Sequence, residues 1–175
     1  MPSPVTVYLF RIVHVVVGVV WVGGAVFIAA FLVPSVRAAG PAGGAVMQQV
    51  AQVRRLPLWL MAAMLLTVLS GLGLYWIDSA GFRSSAWLGS GPGRVFGLGG
   101  AFAVAAGVLG MVVNAPTARR LGAIIARVQA TGRPPVPEAA AAIQRLQARL
   151  GRAATVAAIL LLLATLAMAV ARYVP

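Results

Sequence analysis

The sequence predicts an all-α integral membrane protein, an up-down four-helix bundle whose helices extend into the cytoplasm. Of its 175 residues, 61% are hydrophobic and 9% are charged, whereas an ordinary soluble domain is about 45–50% apolar. Four stretches are as long and apolar as the ~20 helical residues that cross a bilayer. Because backbone groups in hydrocarbon must be satisfied within the segment, we expect each stretch to be a helix.

The predicted spans lie at about residues 12–33, 56–76, 95–115 and 153–171 of a single domain that covers residues 1–175. The first span is longer than the roughly 7–15 residues of a signal-peptide core, so we expect it to be retained. Pro57 is expected to kink the second span, because proline removes a backbone donor and crowds the preceding turn. Glycine and serine in residues 79–93 predict an outer loop with a short interfacial segment.

Helical periodicity continues beyond the spans at one end of the predicted bundle. Apolar residues recur at helical spacing in residues 45–55 and 121–128, which predicts extensions of the helices. Residues 131–137 contain Thr-Gly and a proline-rich run, which predict a stop and a turn. Glu138 is then expected in the first turn of the fourth helix, where its charge suits the helix dipole. That helix is expected to run for about 35 residues, or roughly 50 Å.

Arginine placement predicts the orientation of the bundle. Ten of the 14 arginines lie between the first and second spans or between the third and the fourth. The positive-inside rule places these connections in the cytoplasm and both termini outside, and aromatic residues gather at the outer boundary as a belt. We attribute the net charge of +12 to this asymmetry and to contacts with anionic lipid, and expect no nucleic acid as a partner. The ten are Arg37, Arg54, Arg55, Arg119, Arg120, Arg127, Arg133, Arg145, Arg149 and Arg152.

Small residues are concentrated in the second and third spans. They permit close approach of helix backbones, which serves packing within the bundle, a homo-oligomer, contact with other membrane-complex subunits, or a pocket for a flat ligand. The sequence leaves these uses open. The residues are Ser70, Gly71, Gly73, Gly97, Gly99, Gly100, Gly107 and Gly110.

His14 is the one acidic or basic side chain within the spans, and an intramembrane ionisable residue is a functional candidate. Helical spacing puts Arg11, Gly18 and Trp21 on its face. Gly18 leaves a gap beside the imidazole, with Arg11 on its outer side and the ring of Trp21 on its inner side. This arrangement suits a haem: His14 would bind the iron and Arg11 would pair with a propionate. Asp78 is a second candidate partner of Arg11. The alternative is a neutral His14 hydrogen-bonded to a neighbouring helix or to interfacial water.

A haem with two axial ligands needs a second donor, and the chain has no other histidine. Methionine serves in that role in some haem proteins, and Met168 of the fourth helix falls at the depth of His14. We therefore take Met168 as the candidate second metal ligand, with five-coordinate iron on His14 as the alternative. Met61 and Met64, three residues apart, suit Cu(I), but no cysteine or histidine accompanies them.

Three parts of the sequence carry a family resemblance. They are LFRIVH and WVGG (residues 9–14 and 21–24), RRL and LLTVLSG (residues 54–56 and 65–71), and AMAVARY (residues 167–173). They resemble the copper-resistance-D-like superfamily of bacterial four-helix membrane proteins, which includes the HemJ-type membrane protoporphyrinogen oxidases, and are closest to its uncharacterised members. The resemblance implies haem b at the first-helix histidine, here His14. The HemJ-type enzymes also rely on a membrane lysine, and this chain has none.

The sequence thus predicts a bacterial inner-membrane protein with a b-type haem near the outer leaflet, in a redox or electron-transfer role. The alternative is a cofactor-free accessory or assembly subunit whose glycine-rich and arginine-rich faces dock a larger membrane complex. A transporter has less support, because the spans lack the inverted repeats and the charged midplane expected of that class.

Overall fold

A computed structural model describes residues 2–175, apart from the side chain of Pro41, and this part of the chain consists of helices and turns without strands. Four helices are long and apolar enough to cross a membrane, as predicted. They are α1 (Pro4–Ala38), α3 (Leu56–Asp78), α5 (Gly91–Ala130) and α6 (Pro137–Tyr173). Two shorter elements connect them: α2 (Gly40–Gln48, followed by a π turn at Gln49–Val53) and α4 (Ser85–Gly89).

Two of the long helices contain a π turn just before a proline. In α1 the π turn Ile28–Leu32 precedes Pro34, and in α5 the π turn Gly110–Asn114 precedes Pro116. Proline lacks an N–H and its ring crowds the carbonyl four residues earlier, and the wider i→i+5 turn relieves both problems. Both helices therefore continue past their prolines.

The predicted kink at Pro57 is wrong. Pro57 lies in the first turn of α3, two residues after the left-handed residue Arg55, whose φ is 53°. The first N–H groups of a helix have no helical acceptor, so proline loses nothing there. The change of chain direction between α2 and α3 therefore occurs at Arg55, before the helix begins.

We expect Pro57→Ala to lower the free energy of unfolding by only about 0.4–1 kcal/mol, because the substitution mainly frees the unfolded chain. Thermal unfolding of the detergent-purified protein, followed by circular dichroism, measures this change. Pro137→Ala is the matched control, since Pro137 also lies in the first turn of its helix, at the start of α6. A marked stabilisation by Pro57→Ala alone would indicate a relieved kink and contradict the structure.

The predicted stop between the third and fourth spans is confirmed. The helix α5 ends at Thr131 and Gly132, and Gly132 has a φ of 60°, a left-handed conformation that glycine adopts without strain. The next helix begins at Pro137 with Glu138 in its first turn. It runs for 37 residues, close to the expected length.

The most extensive helix contacts join α1 to α3 and α5 to α6. All four long helices meet in one central cluster, in which a single large aromatic ring is surrounded mainly by alanines. Many large apolar side chains lie outside it; for example, Val19 is 68% and Leu69 61% exposed. This apolar exterior and the four long helices fit a multi-pass membrane protein in contact with bilayer lipid. The cluster comprises Trp21, Ala63, Met64, Ala103, Ala106, Leu161 and Ala164.

Candidate functional site

His14 lies where α1 crosses α3, and its imidazole is hydrogen-bonded to the backbone of α3. Its Nδ1 lies 2.8 Å from the carbonyl oxygen of Thr67. A carbonyl only accepts hydrogen bonds, so Nδ1 carries the proton and donates it to Thr67. In the neutral ring Nε2 is then the nitrogen with the free lone pair. This hydrogen bond is one that the sequence analysis named as an alternative to a haem ligand.

Gly71 of α3 provides the surface on which the imidazole rests. A Cβ added to Gly71 would lie 2.6 Å from Cε1 and 2.9 Å from Nδ1 of His14. Contacts that short do not occur between real side chains, so no other residue fits without moving the ring. Ser70 is adjacent, with its Oγ 3.5 Å from Nδ1 of His14 while it donates to the carbonyl of Leu66.

Gly18 does not border the imidazole in the way that the sequence suggested. A Cβ on Gly18 would lie 3.4 Å from Cγ2 of Thr67, which is ordinary van der Waals contact. The close approach beside His14 is instead provided by Gly71, because the crossing of α1 and α3 brings that part of α3 against the ring. The assignment of Gly18 to a cofactor site stays a prediction.

Arg11 lies one turn before His14, at the end of α1 where α3 finishes. Its side chain is exposed, and its positive charge acts on Asp78, the last residue of α3. The structure therefore brings Arg11 close to one of the two partners that the sequence suggested. Its role as a partner of a haem propionate stays a prediction.

Trp21 and Met168 lie in other parts of the bundle. Trp21 is 7% exposed in the central cluster, where it packs against small residues. Met168 lies against Gly99, because a Cβ on Gly99 would be 3.1 Å from Cγ of Met168. Met168 is thus held between α5 and α6, whereas His14 is held between α1 and α3. The ligand role of Met168 and the cofactor role of Trp21 stay predictions.

Three residues of α3 build the site, and the sequence analysis identified them only in part. Ser70 and Gly71 were noted as small packing residues, and the polar and small run at the end of LLTVLSG was the available signal. Thr67 acts through its backbone carbonyl, which every residue possesses. No sequence pattern therefore reveals its contact with His14.

A groove runs along the outer side of the same helix pair. It has a volume of about 240 Å³, and five of its six lining side chains are apolar. The sixth is Ser70, which also approaches His14. The groove suits an acyl chain or the edge of a flat apolar ring. Its lining residues are Leu9, Phe10, Val13, Leu66, Leu69 and Ser70.

His14 is the only histidine in the chain, and the chain has no cysteine. Within residues 2–175 no three His, Cys, Asp or Glu side chains gather as ligands for a metal ion. Met64 is buried in the core while Met61 is 45% exposed, so the two thioethers lie in different surroundings. No protein-family model, no curated protein and no solved structure matches the chain.

Proposed function

We propose that the chain is a bacterial inner-membrane protein in which His14 binds the iron of a b-type haem near the outer leaflet, in a redox or electron-transfer role. The hydrogen bond from Nδ1 to the Thr67 carbonyl carries this proposal. Histidines that bind metals commonly donate their other ring N–H to a carbonyl, which orients the ring and raises the basicity of the ligating nitrogen. Among the hydrogen bonds of residues 2–175, none involves Nε2 of His14.

The surrounding residues fit a haem with one axial ligand from the protein. Thr67 and Gly71 hold the imidazole in one orientation, and a groove lined mainly by apolar side chains lies beside Ser70. Arg11 is one turn outward, at the depth where a carboxylate meets the headgroups. Bound haem supplies one-electron chemistry at its iron. The position of Met168 against Gly99 favours His14 as the single axial ligand over a His14–Met168 pair.

An up-down arrangement in the membrane is part of the proposal. Phe10 lies beside Gly73, and further along α1 Gly24 lies beside Leu60, so α1 and α3 run in opposite directions. At the other end Arg37 donates to the carbonyl of Gln147 and links α1 to the start of α6. Most arginines lie at that end, which we place in the cytoplasm against anionic lipid, with both termini outside.

The family resemblance supports the same proposal. The stretch at residues 9–14 contains His14, and the stretch at residues 65–71 contains Thr67, Ser70 and Gly71. The two resembling stretches are therefore the ones that meet at the imidazole. We infer that the chain is related to the copper-resistance-D-like superfamily, and that it lacks the lysine-dependent oxidase reaction of the HemJ-type members.

The second candidate function is a cofactor-free accessory or assembly subunit. It is favoured by glycines that the bundle leaves uncovered, since no heavy atom lies within 4 Å of a Cβ built on Gly23, Gly100 or Gly110. Small residues on an open helix face let another transmembrane helix approach closely. In this function His14 serves as a structural link between α1 and α3, and the open faces contact a second copy or another subunit.

A visible absorption spectrum separates the two functions. We expect the detergent-purified protein, supplied with haem, to show a Soret band that His14→Ala abolishes. Met168→Leu is the matched variant: it preserves the band if His14 is the single axial ligand, and shifts it if Met168 also binds the iron. Thermal unfolding of His14→Ala shows that the loss is not due to misfolding. A colourless wild-type protein in the presence of haem would reject the redox function and leave the accessory subunit.

A further inference from the structure

A small notch lies between α5 and α6 at the arginine-rich end of the bundle. It has a volume of about 110 Å³, several times the ~30 Å³ that one water molecule takes in the liquid. None of its lining residues belongs to the His14 site. They are Val112, Pro116, Thr117 and Arg120 from α5, and Leu146 and Arg149 from α6.

Thr117 is the polar side chain at the base of this notch. It is 3% exposed, and it takes part in no side-chain hydrogen bond among those of residues 2–175. By contrast, Thr155 and Thr165 each donate to the carbonyl four residues earlier in α6. An oxygen-rich ligand in the notch would give this hydroxyl a hydrogen-bond partner.

Two guanidinium groups from different helices line the same notch. Arg120 and Arg149 are both exposed, and neither acidic residue of the chain, Asp78 or Glu138, lines it. Guanidinium groups present several N–H donors in a plane and match the oxygens of a phosphate. The charge of the notch therefore selects an anion, and its donors favour phosphate.

The notch also lies at the depth of lipid phosphates in the proposed orientation. Arg120 follows the end of the third predicted span by about one helical turn, and Arg149 precedes the start of the fourth by about one turn. The apolar residues Val112 and Leu146 line the notch together with these arginines. Val112 lies on the membrane side of Arg120, so a lipid whose phosphate meets the arginines would have its acyl chain beside Val112.

We propose that this notch binds one phosphate group, which Arg120 and Arg149 hold from two helices and to which the Thr117 hydroxyl donates. The phosphate belongs either to the headgroup of an anionic lipid or to free inorganic phosphate. The lipid source rests on the membrane orientation in the proposed function. Neither source depends on a haem at His14.

Binding of two probes, phosphatidylglycerol and inorganic phosphate, tests the proposal by native mass spectrometry of the detergent-purified full chain. Arg120→Gln and Arg149→Gln are each expected to weaken lipid binding by about tenfold, as loss of a charge-assisted hydrogen bond predicts. Thr117→Val should weaken it by a smaller but measurable factor. Arg119→Gln and Arg152→Gln are the matched controls, because these exposed arginines lie beside the notch without lining it.

The outcomes separate the sources and test the site. Competition of inorganic phosphate with the lipid supports free phosphate as the ligand, whereas specific lipid binding without competition supports a headgroup site. Three results would overturn the proposal. The first is that Arg119→Gln weakens lipid binding as much as Arg120→Gln, and the second is that Thr117→Val leaves lipid binding unchanged. The third is that neither probe binds. The Soret spectrum of the same variants reports on His14 separately, so failure at one site is distinguished from failure at the other.

Discussion

Gly71→Ala is expected to displace the imidazole of His14 although it removes no functional group. The new Cβ would lie 2.6 Å from Cε1 of His14, and the ring cannot move away while it keeps its 2.8 Å hydrogen bond to Thr67. Overpacking of this kind costs about 1–3 kcal/mol, which exceeds the roughly 1 kcal/mol that alanine gains over glycine in a helix. We therefore expect a lower unfolding temperature and loss of the Soret band, measured in detergent.

The matched control for this prediction is Gly23→Ala in α1. It makes the same chemical change within a long helix, but no heavy atom lies within 4 Å of the added Cβ. We expect this variant to raise the unfolding temperature slightly, because alanine gains up to about 1 kcal/mol over glycine in a helix, and to keep its haem spectrum. Equal effects of the two substitutions, or an unchanged Gly71→Ala protein, would show that His14 does not rest on Gly71.

Trp21→Ala is expected to be the most destabilising single substitution in the bundle core, by about 3–5 kcal/mol. Trp21 is 7% exposed, and most of the other buried residues of its cluster are alanines. Alanine side chains on three other helices cannot extend into the space that the indole leaves, so the cavity persists. Chemical or thermal unfolding in detergent micelles measures the loss.

Trp59→Ala is the control for Trp21→Ala. Trp59 is 72% exposed, so its removal leaves no internal cavity and should change the unfolding temperature little. The pair also distinguishes two roles of Trp21. If the substitution removed the haem spectrum without lowering stability, Trp21 would act in the cofactor site, as the sequence suggested, and its role in the core would be minor.

Most of the helices were predictable because their signals are local. Apolar length predicted four spans, and the Thr131-Gly132 pair followed by prolines predicted where α5 ends and α6 begins. Helical spacing also predicted that both helices continue beyond the apolar region. The expectation that failed, the kink at Pro57, depended on whether a helical turn precedes Pro57 within the same helix. The left-handed Arg55 decided that question.

The candidate site was predictable only at its ionisable residue. The rarity of charge in an apolar span singled out His14, but not the neighbours that position it. The carbonyl of Thr67 and the bare backbone at Gly71 come from another helix, more than fifty residues along the chain. Helical spacing on α1 predicted that Gly18 borders the imidazole, because periodicity relates only the residues of one helix. It does not indicate how that helix is rotated against a second helix, and the structure has Gly71 of α3 beside the ring.

Composition and short-range pattern were thus sufficient for the class of protein, the number of its long apolar helices and the break between α5 and α6, since each depends on neighbouring residues along one chain segment. The partners of His14, the burial of Trp21 and the notch between Arg120 and Arg149 required the packed bundle. Helix rotation and crossing are set by how ridges of side chains fit the grooves of another helix. That fit depends on all contacting faces at once, and no single stretch of sequence contains it.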